Sequence, residues 1–173
     1  MRLILSVLIL MITSLSFAQQ ANPLPIVQQK MEALKWLSGK WQGTAYINGR
    51  SGNKQKVRHH LEFSHKLNNT VFFISESAVL VQDTLFQNMG FLSYNVLQSQ
   101  YNLEAFTQHG AQMDAYVEVL ENKMIWRFHA AGQIYKYTAK LNDKGQWHQI
   151  GEVSADEGKK WELFFESTLN RIE

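Results

Sequence analysis

From Lys40 to the end of the chain, apolar and polar residues alternate with a period of two, the pattern of β-strands that bury one face. Short polar or glycine-containing segments of the kind found in tight turns interrupt this alternation. The pattern predicts about ten strands, at 41–48, 55–63, 70–81, 86–94, 101–108, 112–120, 123–130, 133–141, 146–154 and 160–170. Such a series, without crossover helices, predicts an all-β, antiparallel up-and-down barrel.

A short helix is predicted before the first strand. Asn22-Pro23 is a suitable helix start, and apolar residues then recur at helical spacing until Ser38. We expect this helix to plug one end of the barrel.

The segment 37–43, Leu-Ser-Gly-Lys-Trp-Gln-Gly, joins the helix to the first strand. Gly39 suits the positive φ that a sharp exit from a helix requires. Trp41 is expected to point into the barrel floor, and Gly43 leaves space on the same face beside its ring. Trp41 is either an ordinary core tryptophan or part of the barrel closure, with Arg171 of the last strand stacked over it.

Gly39-Lys40-Trp41-Gln42-Gly43, together with Arg171, resembles the signature of the calycin superfamily, which includes lipocalins, fatty-acid-binding proteins and nitrobindins. Four stretches, at 37–43, 90–94, 151–154 and 160–171, resemble the DUF1579 family of exported bacterial proteins. The resemblance covers most of the chain after residue 18. It implies a calycin-like barrel, and it brings no established activity with it.

The first 18 residues have the plan of a secretory signal peptide. One basic residue, Arg2, precedes an apolar run from Leu3 to Ile12, and small residues follow up to Ala18. Cleavage after Ala18 would leave one calycin-like domain, residues 19–173, in the periplasm or outside the cell. The alternative is an uncleaved membrane anchor, for which the apolar run is short, since a span needs roughly 20 residues.

The charge balance argues against nucleic acid and against a basic membrane-binding face. The chain has 17 Lys and Arg against 15 Asp and Glu, and loss of Arg2 with the signal peptide lowers the net charge from +2 to +1. The sequence contains no cysteine, so it can form no disulfide.

The histidines do not indicate a metal or a cofactor. The chain has six histidines, none of them in a metal-binding spacing supported by carboxylates. Nitrobindins hold haem through a histidine late in the chain, whereas residues 164–171 here contain none. We therefore expect neither a metal nor haem.

Alternation places an aromatic-rich face inside the barrel. A cavity for a small apolar or amphipathic ligand follows as a hypothesis, and its predicted lining residues are Trp126, Phe128, Tyr135, Tyr137, Trp161 and Phe165. The polar residues expected to orient the ligand are Tyr94, Glu152 and Glu166. The alternative is a collapsed core without a useful cavity.

Three functions remain open. The leading one is non-catalytic binding of a small molecule inside the barrel. The second is an enzyme that acts through Glu152 and Glu166. The favoured interpretation of these carboxylates and of Glu104, however, is that they face solvent or pair with Arg127 or Lys136. The third is a solid barrel that interacts through its outer surface. The sequence lacks the nucleophile elbow of hydrolases and the glycine-rich phosphate loops.

Overall fold

The computed structural model describes residues 22–48 and 53–173. The predicted signal peptide and residues 49–52 of the first predicted loop lie outside the described residues. The described part contains the α-helix α1 (Leu24–Glu32), a 3₁₀ turn (Lys35–Leu37) and ten strands. The strands are β1 (Gly39–Asn48), β2 (Lys54–Lys66), β3 (Val71–Leu80), β4 (Asp83–Asn95), β5 (Gln100–Thr107), β6 (Gln112–Leu120), β7 (Lys123–Ala130), β8 (Gln133–Leu141), β9 (Trp147–Ser154) and β10 (Glu162–Arg171).

The strands form one closed antiparallel barrel. Each strand pairs with its neighbours in sequence, and β1 pairs with β10 to close the sheet. This confirms the predicted fold class, and β6, β7 and β8 have the predicted bounds. The two helical segments have nine and three residues, and neither is long and apolar enough to cross a membrane.

The helix begins and ends for local reasons. The Asn22 side-chain oxygen accepts the Leu24 N–H at 3.1 Å, which satisfies one of the free donors of the first turn. The helix was expected to continue to Ser38, but it ends at Glu32. The Leu34 N–H then donates to the Met31 carbonyl oxygen, a three-residue step that tightens the chain toward the 3₁₀ turn.

The helix plugs one end of the barrel, as expected. Met31, Leu34 and Leu37 are fully buried against the barrel core. The Tyr101 hydroxyl donates to the Lys30 carbonyl oxygen at 2.9 Å, so a strand also holds the helix directly.

The β1–β10 seam, the pairing of the first strand with the last, is built around Trp41. Trp41 lies opposite Arg171 in the register, and the guanidinium carbon lies 4.4 Å from the centre of the indole ring. The indole N–H donates to the Leu37 carbonyl oxygen at 2.9 Å. Gly39 has a φ of +112°, and a Cβ there or at Gly43 would overlap backbone oxygens near the end of the chain.

A β-bulge in β10 changes which side chains face inward. The register shifts between Leu163 and Phe165. The prediction that Trp161 and Phe165 both line the cavity rests on strict alternation, which places these two residues and Leu163 on one face, and this alternation is wrong here. Phe164 packs against the Tyr137 ring and Phe165 is buried, whereas Leu163 is exposed. The extra residue in the bulge breaks the period of two, so Trp161 falls on the outer side.

Candidate ligand-binding site

A cavity of about 420 Å³ lies inside the barrel. It reaches the surface beside the β5–β6 and β7–β8 turns, where Ala111, Gln112, His129 and Ala130 are exposed. These turns are at the end opposite the helix, because the hairpin ends alternate along an up-and-down barrel. The lining residues are Leu61, Phe63, Ile74, Glu76, Asn88, Met89, Gly90, Leu103, Ala105, Thr107, Ala111, Gln112, Met113, Asp114, Met124, Trp126, Phe128, His129, Ala130, Tyr137, Trp147 and Gln149.

One wall of the cavity is a stack of aromatic rings on β7 and β8. The register sets Trp126 opposite Tyr137 and Phe128 opposite Tyr135. The rings of each pair are nearly parallel, 9° and 6° apart, with centroids separated by 5.1 Å in both pairs. Such offset stacks stabilise neighbouring strands, and the Trp126, Phe128 and Tyr137 side chains form the aromatic wall of the cavity.

Gly151 on β9 makes room for this wall. A Cβ at Gly151 would lie 2.7 Å from the Tyr137 ring carbon Cε1 and 3.0 Å from the Phe165 Cβ. The absence of a side chain at Gly151 therefore lets Tyr137 lie flat against its neighbours.

A polar cluster interrupts the apolar lining. The Glu76 Oε1 atom lies 3.0 Å from the His59 Nε2 atom, and the Asn88 side-chain amide donates to Glu76 Oε2 at 3.1 Å. His59 is fully buried behind Glu76, with its ring edge-on to those of Phe86 and Phe165. The Glu76 side chain keeps 22% of its accessible surface, and it lines the cavity.

The cluster controls the protonation of Glu76. Burial alone would raise the pKa of this carboxyl, but the His59 hydrogen bond, the electrostatic interaction with the same ring and the Asn88 hydrogen bond together outweigh burial. The pKa of Glu76 is therefore lowered from its ordinary value of 4.5, which favours an ionised side chain at neutral pH. Burial, followed by the nearby Glu76 charge, raises the pKa of the Tyr137 hydroxyl, so Tyr137 stays neutral.

Gln149 adds an amide to the floor of the cavity. It is 2% exposed, and its side-chain oxygen accepts the Trp147 indole N–H at 3.0 Å. This bond satisfies a buried indole donor and fixes the orientation of the amide.

The structure brings three of the nine predicted ligand-binding residues to the cavity lining, namely Trp126, Phe128 and Tyr137. Tyr135 and Phe165 are not lining residues. Tyr135 is stacked on Phe128 within the aromatic wall, and the Phe165 ring lies 6.0 Å from the Tyr137 ring. Tyr94 lies at the plugged end, packed against Tyr101 and under the Lys30 ammonium.

The remaining predicted residues, Glu152, Trp161 and Glu166, are not among the lining residues. Lys136 pairs with Glu152 at 2.8 Å and lies 4.1 Å from the centre of the Trp161 ring. Glu166 lies 3.4 Å from His148 and next in sequence to the buried Phe165 and Ser167, so alternation directs it outward. The structure therefore does not bring Glu152 and Glu166 together at the cavity.

Sequence reasoning missed the polar lining residues Glu76, Asn88 and Gln149, and also His59, the partner of Glu76. Glu76 shares the inward face of β3 with Phe72, Ile74 and Ala78, but the serines on either side of Glu76 make both faces polar at this point, so alternation gave no clear signal. Among the described residues, no group of three or more histidines and carboxylates is arranged to hold a metal ion.

Comparison of the sequence with protein-family models and with curated proteins finds no match. Solved structures do match. The crystal structure of Rv2717c from M. tuberculosis superposes with a TM-score of 0.60 at 12% identity, over 83% of this chain and 97% of that chain. The closed ten-stranded antiparallel barrel fits a calycin-like fold. At this identity the similarity of the two proteins extends to the fold alone.

Proposed function

We propose that this protein binds a small apolar or amphipathic molecule inside its barrel and does not act on it chemically. The observation that supports this most directly is the cavity of about 420 Å³, open at one end and walled by aromatic rings. Concave, mostly apolar sites with a few fixed polar groups are typical of small-molecule binding.

The position of the carboxylates favours binding over catalysis. An acid–base pair needs two groups within reach of one substrate. Glu152 is paired with Lys136 and Glu166 lies beside His148, both away from the cavity lining. Glu76 faces the cavity, and its hydrogen-bond partners are His59 and Asn88 rather than a second carboxylate.

We also propose that the protein is exported and belongs to the DUF1579 family. The export proposal rests on the signal-peptide pattern of residues 1–18, and the family proposal rests on the four sequence stretches described above. In a bacterium, the barrel would then meet its ligand in the periplasm or outside the cell.

Native mass spectrometry of the protein, purified from the organism that produces it, tests binding and export together. We expect a stoichiometric small apolar passenger, released on denaturation, and a polypeptide mass that begins at Gln19. A polypeptide that retains residues 1–18 would contradict cleavage after Ala18 without affecting the binding proposal, and its presence in the cytoplasmic fraction would contradict export.

A cavity-filling variant tests the location of the site. Ala105→Phe adds a ring to the cavity lining, and Glu104→Phe adds the same ring to the exposed outer face of the same strand. We expect Ala105→Phe to abolish binding of N-phenyl-1-naphthylamine, a neutral apolar fluorophore, and Glu104→Phe to retain it. Equal binding by both variants, or no binding by the unmodified protein together with an empty native mass, would overturn the proposal.

A further inference from the structure

We infer that the ligand carries a protonated amine on an apolar body, and that the Glu76 carboxylate binds this amine inside the cavity. This inference rests on the proposed function and names the chemical class of the ligand. It separates the protein from carriers of fatty acids, whose headgroup has the opposite charge.

The first argument is the charge of the lining. Among the described residues that line the cavity there is no lysine or arginine, and the Glu76 carboxylate faces the cavity. His129 lies at the exposed rim. A ligand carboxylate would lose its water next to the like charge of Glu76 and without a lysine or arginine to receive it, whereas an ammonium group would meet an opposite charge.

The second argument is the way Glu76 is held. His59 and Asn88 each engage one carboxylate oxygen, and each oxygen can accept a further hydrogen bond. His59 is fully buried and is not a lining residue, so a ligand meets the carboxylate and not the imidazole. The side chain is therefore fixed in position with acceptor capacity directed at the cavity.

The third argument is the aromatic wall. The faces of Trp126 and Tyr137 form a continuous stack whose rings are 5.1 Å apart. Aromatic faces attract ammonium groups and also pack well against flat apolar bodies. The aromatic wall is therefore compatible with both the ammonium group and the apolar body of such a ligand.

The test compares three probes that share one body and differ in their headgroup: 2-(1-naphthyl)ethylamine, 2-(1-naphthyl)ethanol and 1-naphthaleneacetic acid. Isothermal titration calorimetry of the purified protein at pH 7 gives the three dissociation constants. Because hydrogen bonds to charged groups contribute about 1.5 to 3 kcal/mol, we expect the amine to bind about 10- to 100-fold more tightly than the alcohol, and the acid more weakly than both.

Glu76→Gln keeps the size of the side chain and removes its charge, and Glu104→Gln makes the same change on the outer face. We expect Glu76→Gln to lose the preference for amine over alcohol while it still binds the alcohol, which also shows that it is folded. Glu104→Gln should keep the preference. If Glu76→Gln does not fold, the order of the three dissociation constants on the unmodified protein decides whether the ligand is an amine.

The outcomes separate the two proposals. Binding of all three probes with the acid equal to or tighter than the amine overturns the amine inference and leaves the binding function intact. A preference for amine that survives in Glu76→Gln overturns the assignment to Glu76. No binding of any probe, together with an empty native mass, overturns the binding function itself.

Discussion

The two ends of the barrel use aromatic residues in opposite ways. At the plugged end, the Trp147 ring lies about 6 Å from both the Trp36 and the Trp41 ring, and Trp41 and Trp147 are almost fully buried. At the open end, the rings of Trp126, Phe128 and Tyr137 stack flat along one wall and leave a cavity beside them. The closely packed rings at the plugged end stabilise the fold. The stacked rings at the open end have fewer packing partners, because one side of the stack borders the cavity.

The hydrogen bonding of buried polar groups also differs between the two ends of the barrel. The indole N–H groups of Trp41 and Trp147 both have protein acceptors, so these donors are satisfied within the fold. At the cavity, Glu76 is held by two donors and still lies open to a ligand. The barrel therefore combines two tryptophan donors that are paired within the fold with a carboxylate that still faces the cavity, although the buried Trp36 Nε1 atom at the plugged end has no hydrogen-bond partner among the described residues.

Trp41→Ala should cause the largest loss of stability, because it removes a buried ring from the plugged end and the partner of Arg171. We expect a loss of about 3 to 5 kcal/mol in the free energy of unfolding, measured by urea denaturation followed by circular dichroism. Trp161→Ala, on the outer side next to Lys136, is the control and should cost about 1 kcal/mol or less. An unchanged unfolding midpoint for Trp41→Ala would contradict its placement in the seam.

His59→Leu should cause the next largest loss, because it leaves Glu76 without one of its two hydrogen-bond donors. We expect a cost of about 2 to 3 kcal/mol in the free energy of unfolding. The double variant His59→Leu/Glu76→Met replaces both partners by apolar groups and should be more stable than His59→Leu alone. A double variant less stable than the single one would show that the pair does not act as a unit.

Gly151→Ala tests the support of the aromatic wall. The added Cβ would press on the Tyr137 ring, so we expect a cost of about 1 to 2 kcal/mol. In a Tyr137→Ala background the same change should cost much less, and a double-mutant cycle measures this coupling. Additive effects would mean that the ring does not lie against Gly151.

The smallest expected effect is the contribution of the Glu76 charge to the pH dependence of stability. The pKa of Glu76 in the folded protein lies below its ordinary value of 4.5. Ionised Glu76 therefore stabilises the folded state above that value, and this contribution is lost as the pH falls through the lowered folded pKa. Urea denaturation between pH 7 and pH 3 measures this effect. The free energy of unfolding should fall less steeply with decreasing pH for Glu76→Gln than for the unmodified protein, and equal slopes would contradict the expectation.

The fold could be predicted from the sequence, because alternation and turn residues act locally. The strands β6, β7 and β8 follow simple alternation between short turns, and their predicted bounds agree with the structure. The bulge in β10 could not be predicted in this way, because a bulge leaves no mark in the residue composition of a strand. Its extra residue nevertheless exchanges the inward and outward faces of the residues that precede it.

The polar half of the site was harder to predict than the aromatic wall. Trp126, Phe128 and Tyr137 stand out as large apolar residues on one face of their strands. Glu76 lies between Ser75 and Ser77, so β3 is polar on both faces at this point and alternation does not reveal the inward side. His59 and Glu76 are brought together only by the pairing of β2 with β3.

The β1–β10 seam also imposes an order on folding. Every other strand pair joins neighbours in sequence and can form as a hairpin, whereas the seam joins Lys40 to Glu173, 133 positions away. Closing so long a loop is entropically expensive, so the barrel gains its last pairing only when the whole chain is present. A chain interrupted before β10 would expose the unpaired edges of β1 and β9, and edges of this kind favour aggregation.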